Sequence, residues 1–154
     1  TIWKKIFSVK KDIEPIGLAA RDTLRLEMGY CLYGNDITEK TTPVEAGLSW
    51  IVKLNTNFIG KRYIVRQIEN GVNQKLVGFI LQERGVPRQG YEILNVNNQR
   101  IGRVTSGTLS PSLNQPIGMG YVITKEASIG NHILVKIRNK LLKAIIVKRP
   151  FYAK

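Results

Sequence analysis

The sequence predicts an α+β chain: a short helical segment gives way, near residue 70, to a six-stranded antiparallel β-barrel or Greek-key domain. Two observations carry this. Before residue 70 the apolar residues recur at helical spacing between turn signals. After it they fall into six short β-rich runs, punctuated by Asn, Gly and Pro at intervals near ten residues. A third feature divides the chain in the same place. Residues 1–70 hold 11 basic and 8 acidic side chains, and residues 71–154 hold 13 and 3.

The helical elements come in order. Ile2, Trp3, Ile6 and Phe7 set a helix over about 1–11, which ends before Pro15. A second helix is predicted over 18–28, stopped by Gly29 at a natural C-terminal position. "YGND" and "TTP" are turn chemistry. "GKRYIVRQIENG" is a third helix, closed by Asn70-Gly71. The runs "KLVGFIL", "YEILNV", "RIGRVTSG", "IGMGYVI", "HILVKIR" and "LLKAIIVKR" then predict strands. "NVNNQR" and "RNK" read as tight turns, and "GVPRQG" as a hairpin connection. Gly78, Gly102, Gly107, Gly118 and Gly120 suit barrel corners and close backbone approaches.

Composition narrows the function. At 154 residues with 43% hydrophobic content, the chain can build a core as one domain, or as one domain and part of another. No run approaches a membrane span, and no membrane association is expected. The opening "TIWKKIFSVKKDIEP" is amphipathic and lacks a cleavage pattern. With no initiator Met, the chain reads as cut from a longer polypeptide. The single Cys31 excludes an internal disulfide and suits a reducing compartment, with Tyr30 and Leu32 beside it predicting a buried, inert thiol. The formal charge of +13 points to an anionic partner.

The chemical inventory is thin. His132 is the only histidine, and with one distant Cys it cannot assemble a zinc site, so no metal is expected. Neither a nucleophile elbow nor a phosphate-binding loop is present. On the second helix, Arg21 and Arg25 lie at i and i+4, and Asp22 sits near the helix N-terminus. A solvated charged face accounts for them in isolation. Leu24, Leu26 and Met28, however, predict a helix covered by neighbours, where an arginine is costly unless paired. A basic barrel that binds nucleic acid through a cationic groove with stacking aromatics is the alternative reading. Here, however, the aromatics alternate with core-forming residues and the lysines flank one edge hairpin, so nucleic acid is not the expected partner.

The motifs "GLAARDTLRLEMGYCLYGND", "TTPVEAGLSW", "FIGK", "TSGTLSPSL", "GMGYV" and "KRPFY" together resemble the C-terminal part of the aminomethyltransferase family, the T-proteins of the glycine cleavage system. The similarity runs in register from about residue 1 to 152. Close relatives are the folate domains of sarcosine and dimethylglycine oxidising enzymes and a folate-dependent iron–sulfur maturation protein. "CLYGND" before "TTPVEAGLSW" favours the T-protein.

The resemblance implies a three-domain enzyme around a folate pocket. Residues 1–70 would be the tail of its central folate-binding domain, and 71–154 its C-terminal barrel. The implied reaction moves a one-carbon unit from the aminomethyl-lipoyl arm of the H-protein to N5 of tetrahydrofolate, the co-substrate, releasing ammonia. The family's supporting Asp and pterin-gripping Glu belong upstream of Thr1, so no catalytic residue is expected here and residues 1–154 alone should be inactive. By resemblance, Arg21 takes the folate-contacting position and Tyr30 an aromatic position lining the ligand site, with Asp22 and Glu27 holding Arg21 in place. A further family contact, beyond "PFY", is not expected in this chain. The acidic H-protein would be the partner of the basic surface. The implied compartment is the bacterial cytoplasm or the mitochondrial matrix.

Overall fold

The structure, a computed structural model, describes residues 1–10 and 12–152. Helix α1 (Ile2–Val9) buries none of its residues; Trp3 and Phe7 pack on each other with ring centroids 4.9 Å apart. Helix α2 (Leu18–Glu27) ends at Gly29, whose φ of +66° is the left-handed conformation that glycine adopts without strain. Turns then carry the chain through residues 30–60, with one 3-10 turn at Ser49–Ile51, to helix α3 (Lys61–Asn70), closed by Gly71 at φ +81°. Of the first helix expected over 1–11, position 11 lies outside the described residues, as do 153 and 154.

Six strands follow: β1 (Gln74–Leu81), β2 (Glu92–Leu94), β3 (Arg100–Ser110), β4 (Gln115–Ile123), β5 (His132–Ile137) and β6 (Lys140–Val147). They close into a barrel in the order β1-β4-β3-β2-β5-β6, every described pairing antiparallel. The expected barrel is therefore the observed one. "GVPRQG" differs from expectation. β1 pairs with β4 and β6, while β2 pairs with β3 and β5, so residues 85–90 cross between strands that are not neighbours. A glycine-rich connection looks the same in sequence whether or not the strands it joins are paired.

Side chains alternate across the barrel wall. Val77, Phe79, Leu81, Ile93, Val104, Val122, Val135 and Ile146 are among those filling the interior. Phe79 faces Gly118 on β4, where a Cβ would meet its ring at 2.5 Å. The absent side chain is the space the ring occupies. On the outside, Leu76, Ile117 and Met119 are also buried, because Leu26 of α2 packs on them. Both faces of β1 and β4 are thus covered, which explains their near-continuous apolar runs.

Candidate functional site

Helix α2 meets the barrel along a narrow stripe. Leu26 is fully buried there, with a charged residue on each side of it in sequence. The Arg25 side chain is only 11% exposed and donates in every direction. Its Nε reaches Asp22 Oδ1 at 2.8 Å, and Nη1 reaches Asp36 Oδ2 at 2.5 Å and the Tyr30 carbonyl at 3.1 Å. Nη2 donates to Ser106 Oγ at 2.8 Å. Asp36 is wholly buried and also accepts from the Leu32 N–H at 2.9 Å and the Thr105 hydroxyl at 2.5 Å. Such a carboxylate is tolerated inside only because its oxygens are met by a cation and by further donors.

The strand contributes through an irregularity. In β3 the register shifts between Val104 and Ser106, leaving Thr105 as the extra residue of a bulge. Adjacent strand residues normally point to opposite faces. The bulge lets Thr105 and Ser106 serve one network.

Glu27 is the second anchor. Its carboxylate accepts from the Ser110 hydroxyl at 2.5 Å, and from the Ser112 N–H and hydroxyl at 3.2 and 2.8 Å. Burial pushes its pKa up, but the bonds from Ser110 and Ser112 outweigh that and hold it below the usual carboxylate value. Its carbonyl accepts the Phe151 and Tyr152 N–H groups at 2.9 and 3.0 Å, so the chain after β6 is tied to the same residue.

Arg149 fills a channel left by three glycines. A Cβ on Gly29, Gly47 or Gly78 would come within 2.9, 3.1 or 2.8 Å of its side chain. Among the described residues its guanidinium donates to neutral acceptors, the carbonyls of Ala46 and Leu76 at 3.4 and 3.2 Å and Met119 Sδ at 3.5 Å. Half-buried Cys31 has a raised pKa: burial pushes the thiol up and the nearby Arg149 charge only partly opposes it. Burial likewise pushes the Tyr121 phenol up to about 12, so it remains a donor to the Asp36 carbonyl at 3.0 Å. Among the described residues, no three His, Cys, Asp or Glu side chains are grouped to hold a metal ion. No helix among them is long and apolar enough to cross a membrane.

The opposite side of α2 is open. Ile16, Leu18, Arg21, Leu24, Met28 and Tyr30 are among the residues lining a groove of about 520 Å³. Arg21 and Tyr30 are both exposed there, and Arg21 has no ion pair or side-chain hydrogen bond among the described residues. The structure therefore brings the two expected ligand residues to one wall. Asp22 and Glu27 are not the partners of Arg21: Asp22 pairs with Arg25, and Glu27 is committed to Ser110 and Ser112. Nor is α2 covered all round. At 100° per residue Leu24 and Met28 share one side while Leu26 faces away from them, so of these three only Leu26 is buried against the barrel. An unpaired guanidinium fork and a phenol ring, set in apolar walls, suit a flat ligand with carbonyl or carboxylate acceptors. Among the described residues, those lining the groove include no Ser, Thr, Cys, His, Asp, Glu or Lys.

The chain thus joins a helical segment with an open groove to a closed six-stranded barrel. The sequence matches the family model described as glycine cleavage T-protein C-terminal barrel domain over residues 74–153, and the GCVT N-terminal domain over residues 1–56. The chain belongs to the glycine cleavage T-protein family. Aminomethyltransferase of Flavobacterium psychrophilum is 54% identical, covering 99% of this chain and 43% of its own length. That of Bacteroides thetaiotaomicron is 51% identical, covering 97% and 43%. The crystal structure of glycine cleavage system aminomethyltransferase T from Bartonella henselae superposes with a TM-score of 0.90 at 36% identity, over 98% of this chain and 43% of that one. The chain thus spans well under half the length of these relatives.

Proposed function

We propose that this chain is the C-terminal part of a tetrahydrofolate-dependent aminomethyltransferase of the glycine cleavage system. Residues 1–70 complete its central folate-binding domain and the remainder is its C-terminal barrel. The observation that carries the reading is the contrast along α2: Arg25 is consumed by internal partners, while Arg21 one turn away stands free beside Tyr30 in an apolar groove. Arg21 donates to the folate and Tyr30 lines its site. The reaction passes the one-carbon unit from the aminomethyl-lipoyl H-protein to tetrahydrofolate with release of ammonia. The groups that support that chemistry lie outside residues 1–154, so this chain alone gives no turnover. The H-protein is the partner, and its acidic surface meets a basic one, so its binding weakens as salt screens charges beyond about 8 Å at physiological ionic strength.

Tetrahydrofolate titration of the complete protein tests this. Arg21→Lys keeps the charge but loses the planar fork, and affinity is expected to fall about ten- to a hundred-fold, the worth of a charge-assisted hydrogen bond. Unchanged affinity would remove Arg21 from the site.

A further inference from the structure

One end of the barrel carries a cationic hollow far in sequence from the Arg21 groove. The β1–β2 crossover and the β5–β6 hairpin bound about 620 Å³, with Arg84, Arg88, Arg138 and Lys140 on the rim and Tyr91 and Leu142 within. All four cations are exposed, and none has an ion pair among the described residues.

The missing counter-charge can be traced. The barrel half has three carboxylates, Glu83, Glu92 and Glu126. Glu83 accepts the Lys143 N–H at 3.2 Å, Glu92 lies 3.7 and 3.4 Å from Arg100 and Lys136, and Glu126 accepts from Asn131 at 2.9 Å. None lines the hollow. Four like charges gathered without compensation repel one another, and an anionic partner relieves that repulsion.

The frame that holds them is built. Pro87 is buried, with its carbonyl 2.4 Å from where a Cβ on Gly107 would sit, so that glycine lets the crossover lie against β3. Gly85 similarly gives way to Leu142, whose Cδ1 would be 2.5 Å from a Cβ there. Arg138 sits in the tight hairpin turn at φ +55°, and the Arg88 carbonyl accepts the Tyr91 N–H at 3.2 Å.

We propose that this end of the barrel docks a carboxylate-rich segment of a partner protein. Arginine forks match carboxylates bidentately, and three of the four cations are arginines. Nucleic acid fits less well, because single strands bind such grooves by stacking on open aromatic faces. The one aromatic here, Tyr91, is half-buried and packed against the barrel core. The inference goes beyond the proposed function by giving the acidic partner a place. Its test uses neither folate nor turnover, so failure here leaves the folate reading standing.

Fluorescence anisotropy of a labelled octaglutamate peptide with the complete protein at low salt reads the surface. The triple variant Arg84→Ser, Arg88→Ser, Arg138→Ser is expected to weaken peptide binding about three- to a hundred-fold, from three exposed pairs each worth about 0.2–1 kcal/mol. Lys140→Glu, made alone, should weaken it in the same direction. Arg62→Ser with Arg66→Ser, on exposed positions of α3, should leave binding within about two-fold of the parent. The proposal is overturned if the peptide does not bind, or if the α3 variant loses as much as the triple variant. It is equally overturned if an eight-nucleotide single strand binds more tightly than the peptide and depends on the same residues.

Discussion

The two sides of α2 obey different rules. Toward the barrel, Arg25, Leu26 and Glu27 are buried or nearly so, and the polar side chains find partners on β3, on the turns around it and, for Arg25 Nε, on Asp22 of the same helix. Away from it, Leu18 and Leu24 lie exposed beside an unpaired Arg21. One side is a clasp and the other a wall. A helix can carry a ligand residue accurately when its opposite side is fixed to a rigid sheet. The difference also shows that charge and residue type do not reveal role: the two arginines are four residues apart, and one is structure while the other is free.

The sharpest break comes at Arg25. Arg25→Ala leaves Asp36 buried without its cation, and the expected loss is about 3–5 kcal/mol of unfolding free energy in denaturant. A loss under about 1 kcal/mol would mean that the donors from Leu32 and Thr105 suffice for Asp36. The apolar counterpart is a matched pair. Leu26→Ala is expected to cost about 2–5 kcal/mol through lost burial and the cavity left behind. Leu24→Ala, on the open side, should stay within about 0.5 kcal/mol in residues 1–154. Equal costs at the two positions would erase the distinction between clasp and wall.

Much of this was legible in the sequence, for identifiable reasons. Helix ends at Gly29 and Gly71 and strand positions follow from local turn chemistry and from the switch of period, which neighbouring residues specify by themselves. The strand order was not legible, because β1–β4 and β2–β5 pairings join runs that nothing local connects. The same limit applies to the clasp. The Asp22–Arg25 spacing at i and i+3 was a visible sign of a pair, yet the partners that bury Arg25 lie 11 and 81 residues away. The bulge at Thr105 that makes room for them leaves no mark in "GRVTSGT". Ser110 and Ser112 flank Pro111 in a turn, where serine is expected for reasons of its own. Tyr30 stood out only through resemblance, and resemblance alone separated Arg21 from Arg25 as the ligand residue.

Glu27 gives a smaller effect with a pH signature. Its folded pKa is depressed, so its contribution is present above the unfolded carboxylate value and is lost as pH falls through the folded value. Glu27→Gln is expected to cost about 1–2 kcal/mol at neutral pH, the difference between charge-assisted and neutral hydrogen bonds. Below the usual carboxylate range the parent loses that advantage and the two stability curves should converge. Parallel curves down to acid would show that Glu27 is not the group being titrated.

The smallest expected change in stability is at Arg21, and its smallness is the point. Arg21→Lys replaces an exposed guanidinium that no carboxylate among the described residues holds, and helix propensity barely separates the two residues. Unfolding free energy of residues 1–154 should therefore move by less than about 0.5 kcal/mol, against several for Arg25→Ala one turn away. Arg25→Lys sharpens the contrast further. A lysine there keeps the charge beside Asp36 but cannot also span Asp22, the Tyr30 carbonyl and Ser106, so a clear loss is expected even with charge conserved. Denaturant curves of the two lysine variants side by side are enough. If Arg21→Lys destabilises as much as Arg25→Lys, Arg21 is a structural residue, and a free guanidinium in the groove ceases to support a folate contact.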